Sequence, residues 1–112
     1  MVGYYSQSGS IGTQGFFRKA NGTYVTGLAF PGADTTQLFG ANDYGTIVGF
    51  WYEPSTSLPH GLILQSLSRY TQIDISGASS TVLSGINNNN FVTGYYTMPD
   101  QQQFGFLARL TP

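Results

Sequence analysis

The side chains in this sequence that could move a proton are few: one histidine, His60, and five carboxylates, Asp34, Asp43, Glu53, Asp74 and Asp100. His60 has no second histidine to share a metal with, and it lies in a proline-flanked loop between Pro54 and the strand that starts at Gly61. A Ser-His-Asp arrangement has no fixed sequence signature across folds, but the nucleophile elbow that marks one class of it is absent here. Paired-carboxylate catalysis needs two acids held at a fixed separation in a cleft. The five acids here fall at mostly unmatched positions of the repeat described below. Calcium calls for several carboxylates in one loop, whereas Asn42-Asp43 offers one and Asn87–Asn90 none. Asn and Asp in such turns ordinarily cap their own backbone. Cysteine is absent, which removes disulfides and thiolate metal sites. The expectation is a protein that is not an enzyme, with no catalytic residue, metal or cofactor.

The richer chemistry is aromatic. Tyr4-Tyr5, Phe50-Trp51-Tyr52 and Tyr95-Tyr96 are three copies of one cluster. Neighbouring residues on a strand point to opposite faces, so one member of each pair is expected in the core and the other toward a groove or solvent. Two readings stay open. Both members pack between sheets, or the outward one stacks on a ligand, as tyrosine and tryptophan do on the apolar faces of sugar rings. On the second reading the binding residues are Trp51, Tyr52, Tyr5 and Tyr96, with Glu53 and Arg69 as polar partners and Arg18 in the first copy.

These residues are placed by an internal repeat. Gly3, Gly49 and Gly94 align, as do Gly15, Gly61 and Gly105, then Tyr24 with Tyr70, Gly32 with Gly77, Gly40 with Gly85, and Asn42 with Asn87. The period is about 45 residues, a length typical of propeller blades. Each period holds four short runs rich in β-branched and aromatic residues. They are Val2–Ser6, Gly15–Lys19, Thr23–Ala29 and Thr36–Ala41, then Ile47–Tyr52, Gly61–Gln65, Arg69–Ile75 and Thr81–Ile86. A third period begins with Phe91–Thr97 and Phe104–Leu110. No helical periodicity competes. The spacing predicts an all-β fold of propeller-like blades, each of four short antiparallel strands, in a single domain over 1–112. The repeat units are approximately 3–48, 49–93 and a partial 94–112. A β-trefoil-like single domain is the alternative.

Ten strands complete neither architecture, and they leave a remainder of two when divided by four. Either two strands sit outside regular blades, or two are missing, or the assembly is not a simple ring. Unpaired edges are a liability that proteins cover, so homo-oligomerisation with closed symmetry is expected to complete the repeats. Repeated weak sites on one ring would then bind with avidity. The function read from this is a non-catalytic module forming a symmetric oligomer that binds glycans or other polar ligands. The alternative is a purely structural or protein-interaction assembly with no small-molecule ligand.

Composition narrows the partners. Only 8% of residues are charged, the net charge is −1, and Lys and Arg number four. This argues against nucleic acid and against anionic membranes, both of which need clustered cations. With 40% hydrophobic and 15% aromatic residues, the chain has the apolar content that disordered segments lack. No apolar run approaches the ~20 residues of a membrane-spanning helix. The start, Met1-Val2-Gly3-Tyr4-Tyr5, has no signal-peptide pattern. Any export signal is expected to lie outside this sequence, which reads equally as a whole product or as a piece opening mid-hairpin.

The period resembles the bacterial extracellular repeat known as the HAF family. The residues carrying the likeness are Gly40-Ala41-Asn42-Asp43, Gly45, Ile47-Val48-Gly49-Phe50, His60-Gly61-Leu62, Tyr70 to Ile73-Asp74, and Gly77-Ala78. The next copy contributes Gly85-Ile86-Asn87-Asn88 and Val92-Thr93-Gly94-Tyr95-Tyr96. The resemblance implies a secreted or extracellular bacterial propeller-like protein and carries no catalytic motif. Two departures stand out. His60 is replaced by Gln14 and Phe104 in the other copies, so it is no repeated ligand, and the proline of Pro31-Gly32-Ala33 is Ser76 in the second copy. The retained glycine is expected to preserve that turn.

Overall fold

The computed structural model describes residues 2–5, 13–33, 35–52 and 58–110. All regular structure among them is β. The ten strands are β1 (Val2–Tyr5), β2 (Gln14–Arg18), β3 (Tyr24–Leu28), β4 (Thr35–Ala41), β5 (Thr46–Tyr52), β6 (Pro59–Gln65), β7 (Arg69–Ile73), β8 (Ser80–Ile86), β9 (Phe91–Thr97) and β10 (Gln103–Arg109). Each matches one expected run to within two residues. One reading is corrected: His60 is not in a loop but within β6, directly opposite Trp51 of β5.

The strands form three antiparallel sheets, ordered β1-β2-β3, β4-β5-β6-β7 and β8-β9-β10. These cut the chain out of phase with the repeat units read from sequence. β4 and β8 close the first two units in sequence, yet each leads the following sheet. The cause is the tight turn after each of them, which forces an antiparallel hairpin with the next strand. Asn42 Oδ1 accepts hydrogen bonds from Tyr44 N and Thr46 N, both 3.0 Å. Asn87 Oδ1 does the same for Asn89 N at 2.9 Å and Phe91 N at 3.0 Å. Gly45 and Asn90 take the matching left-handed position, at φ 82° and 64°, one that glycine and asparagine tolerate best. The Pro31-Gly32 and Ser76-Gly77 turns also match. Both glycines have positive φ, and Ala33 N and Ala78 N each donate at 3.0 Å, to Phe30 O and Ile75 O. The turn therefore survives the exchange of proline for serine.

The β4-β5-β6-β7 sheet lies between the other two and is covered on both faces. On the side of the first sheet, Leu38, Ile47, Trp51, Leu62 and Leu64 pack with Leu28, joined by Val2, Phe17 and Phe30. On the other side, Val48 and Ile63 pack with Leu83 and Val92, joined by Phe106 and Ile86. Burial on two faces explains why β5 from Thr46 to Trp51 is buried at every position instead of alternating. Burial of each such side chain is worth roughly 1.5–3 kcal/mol. The same bulge recurs at Leu38/Gly40 and at Leu83/Gly85, so Phe39 and Ser84 are the extra residues in β4 and β8. The result is a flat body of 44 × 38 × 18 Å.

Candidate functional site

Trp51 sits inside the body. Its indole stacks on Phe30 at a 4.1 Å centroid distance and 4° between planes, and on His60 at 4.9 Å and 30°. Only 7% of the residue is exposed, which leaves no face for a sugar ring. Its Nε1 is buried with no hydrogen-bond partner. His60 is held in place from behind, with Nδ1 2.8 Å from Asp74 Oδ1. Asp74 Oδ2 in turn accepts a bond from Gln72 Nε2 at 2.5 Å. Tyr70 packs edge-on against Phe30, 6.0 Å away. Burial pushes the Tyr70 hydroxyl above the ordinary tyrosine range, outweighing a hydrogen bond with the Ala29 backbone that lowers it. This aromatic column joins the first two sheets.

The other sequence-derived candidates do not gather around it. Tyr52 is half-buried and meets Phe50 edge-on at 5.3 Å. Tyr5 lies on the far face of the first sheet. Its hydroxyl donates to Gln14 Oε1 at 3.1 Å and accepts from Gly27 N at 2.9 Å. Tyr96 is in the third sheet, stacked on Phe104 at 5.5 Å. Arg69 donates to Gln65 Oε1 at 2.7 Å, and Gln65 pairs with Thr46 at the opposite end of β5 from Trp51. Five residue steps separate those ends, roughly 17 Å at ~3.4 Å per residue, so Arg69 is no polar partner for Trp51. Glu53 lies outside the described residues. Among the described residues no three His, Cys, Asp or Glu side chains come together as a metal site.

What the sequence reading missed is the contrast between equivalent surfaces. Phe50 is 7% exposed, with the rings of Phe39 and Tyr52 beside it, and Ile63 is 5% exposed, packed with Leu83 and Val92 of the third sheet. Their counterparts one repeat on, Tyr95 and Leu107, are 43% and 65% exposed. On the far face of the first sheet, Tyr5, Phe16 and Tyr24 form a row with ring centroids 6.5 and 5.8 Å apart. Tyr24 and Phe16 match Tyr70 and Leu62, which the first sheet covers. The signal was present in the sequence, since aligned positions keep apolar side chains in all copies. Which copies lie uncovered depends on where the sheets begin and end.

The turns of neighbouring sheets are also joined. Asn42 Nδ2 donates to Asn87 O and Asn90 Oδ1, each at 3.2 Å. Asp43 N donates to Asn88 Oδ1 at 2.7 Å, and Asn88 Nδ2 returns a bond to Asp43 Oδ2 at 2.8 Å. Between the first two sheets the corresponding space is a groove of about 380 Å³, lined by Phe17, Arg18, Lys19 and Ala20 on one side and Ala41, Asn42 and Asp43 on the other.

No family model, curated protein or solved structure matches the chain.

Proposed function

We propose that this chain is a non-catalytic β-repeat module of propeller type, whose role is to pack side by side with further repeats of its own kind as a structural or protein-interaction assembly. The observation that carries this is the exposure of Leu107, whose counterpart Ile63 is buried against the next sheet, together with that of Tyr95, whose counterpart Phe50 is buried. The outward face of the third sheet is thus the kind of face that, inside the molecule, receives another sheet. The outward face of the first sheet, with Phe16 and Tyr24, is the complementary kind. Two different faces meeting in this way give head-to-tail association, which closes into a ring when the rotation per subunit allows. The HAF-like motifs support a bacterial, exported setting for such a module.

Native mass in solution tests the reading. The expected result is a defined closed oligomer that Leu107→Asp converts to monomer with its β-sheet circular dichroism intact. A monomeric parent chain would refute self-packing.

A second reading, polar-ligand or glycan binding, is favoured by one observation, the Tyr5–Phe16–Tyr24 row. It is an apolar platform with hydroxyls beside it. Binding to a glycan panel that is lost in Tyr24→Ala would support it, and a blank panel would remove it.

A further inference from the structure

The three sheets follow one pattern, and among the described residues no leading strand is paired to the outer edge of the first. In the second sheet β4 pairs along β5 with Leu38 opposite Gly49, and in the third β8 pairs along β9 with Leu83 opposite Gly94. The matching strand β1 pairs only with β2 among the described residues. We infer that the free edge of β1 is a strand-acceptor site. Its occupant is an extended segment carrying the leading-strand pattern seen in both β4 and β8: Thr, two residues on Leu, two further on Gly, two further on Asn. The inference rests on the side-by-side packing proposed above and names the surface that such packing leaves open.

Three features of the site fit that occupant. The glycine on the accepting strand is the first. A Cβ at Gly49 would stand 2.0 Å from Gln37 O, and one at Gly94 2.2 Å from Val82 O, so glycine at this position admits the backbone of the leading strand. β1 keeps that glycine as Gly3, where the nearest atoms are those of the Phe16 ring, 2.7 Å from an added Cβ. The second is the surface beside the edge. Tyr4, the counterpart of Phe50, and Phe39 touch each other edge-on at 6.1 Å and are both exposed. In the third sheet the leading-strand residue opposite the equivalent tyrosine is Val82, which is itself buried.

The third is the groove. Arg18 and Lys19 match Leu64 and Gln65, and Gln65 pairs with Thr46, the first residue after the Asn42 turn. The space between Arg18-Lys19 and Asn42-Asp43 is therefore where the turn entering β1 would lie. A turn placed there would meet Asn42 and Asp43 as their own turn meets Asn87 and Asn88. Main-chain pairing at an exposed edge, with side-chain pockets setting the register, is the general form of strand addition.

The test adds a synthetic peptide with the sequence of residues 79–90 to the intact chain and follows amide hydrogen exchange. The expected result is a slowing of at least tenfold at β1 amides, saturable with peptide, together with a rise in melting temperature. A control peptide with Leu83→Asp and Gly85→Val should produce neither effect. No slowing at millimolar peptide, equal slowing with the control, or slowing confined to β3 or β10 would overturn the inference. The two proposals fail separately. A monomeric chain protected by the peptide retains the acceptor edge and loses self-packing. A closed oligomer indifferent to the peptide retains self-packing and loses the acceptor edge.

Discussion

Replacement of Gly49 by alanine tests the reason this repeat keeps its glycines. The added Cβ would lie 2.0 Å from Gln37 O, 2.9 Å from Leu38 Cα and 3.0 Å from Gln37 C. All three are backbone atoms of β4, so no rotamer change relieves the clash. The first contact is about 1.4 Å short of ordinary van der Waals separation. Strands spaced ~4.8 Å apart cannot part by that much and keep their hydrogen bonds near 2.9 Å. Nor can β5 move away, since its other edge is paired to β6 and both faces of the sheet are covered. Overpacking costs about 1–3 kcal/mol, and two ladder bonds weakened at about 1 kcal/mol each bring the loss to roughly 3–5 kcal/mol. Against a total stability of about 5–15 kcal/mol this is severe. Urea unfolding followed by fluorescence of the only tryptophan, Trp51, measures it. Gly32→Ala is the control. It meets nothing within 4 Å but forces alanine to φ +83°, at about 1–2 kcal/mol. Gly94→Ala should fall between the two, because the outward face of the third sheet is uncovered and β9 can shift. A Gly49→Ala protein within ~0.5 kcal/mol of the parent, or one more stable than Gly32→Ala, would refute the reasoning.

Three further outcomes are expected. Asn42→Ala should cost more than Asn87→Ala, about 2–4 against about 1–2 kcal/mol at roughly 0.5–1 kcal/mol per hydrogen bond. Both lose two turn-capping bonds, but only Asn42 also donates its side-chain amide across to the next turn; equal losses in urea melts would contradict this. Trp51 emission should be blue-shifted and indifferent to added sugars. Trp51→Ala should cost about 3–5 kcal/mol, and Trp51→Phe much less, since it keeps a ring on Phe30 and removes a buried N–H that has no partner. Finally, burial raises the Tyr70 pKa in the folded protein, so folding favours the neutral phenol. That contribution is fully present below the ordinary tyrosine value of ~10 and is lost as pH climbs through the raised folded value. Absorbance titration should show a late-ionising component that Tyr70→Phe removes; its persistence in that variant would contradict the assignment.

Much of this architecture was legible in the residue order. Strand character follows from local alternation and turn chemistry, so all ten strands and the Asn42 and Asn87 turns could be read without coordinates. Aligned glycines reported the repeat because backbone-on-backbone approach excludes a Cβ at Gly49 and Gly94 wherever the strands are drawn together. The pairing of strands into sheets was only half legible. A period of about 45 residues has no marked origin, and it took the Asn42 and Asn87 hairpins to assign β4 and β8 to the sheets that follow them.

The candidate site was less legible still. The sequence offers Phe50, Trp51, Tyr95 and Tyr96 as equivalent aromatic pairs, and alternation alone predicts one buried and one exposed residue in each. Trp51 is buried against Leu28 and Phe30 and Phe50 lies buried beside Phe39 and Tyr52, whereas Tyr95, the counterpart of Phe50, is exposed. Burial is a property of which surfaces meet. That is fixed by contacts between residues tens of positions apart, and no local pattern records it.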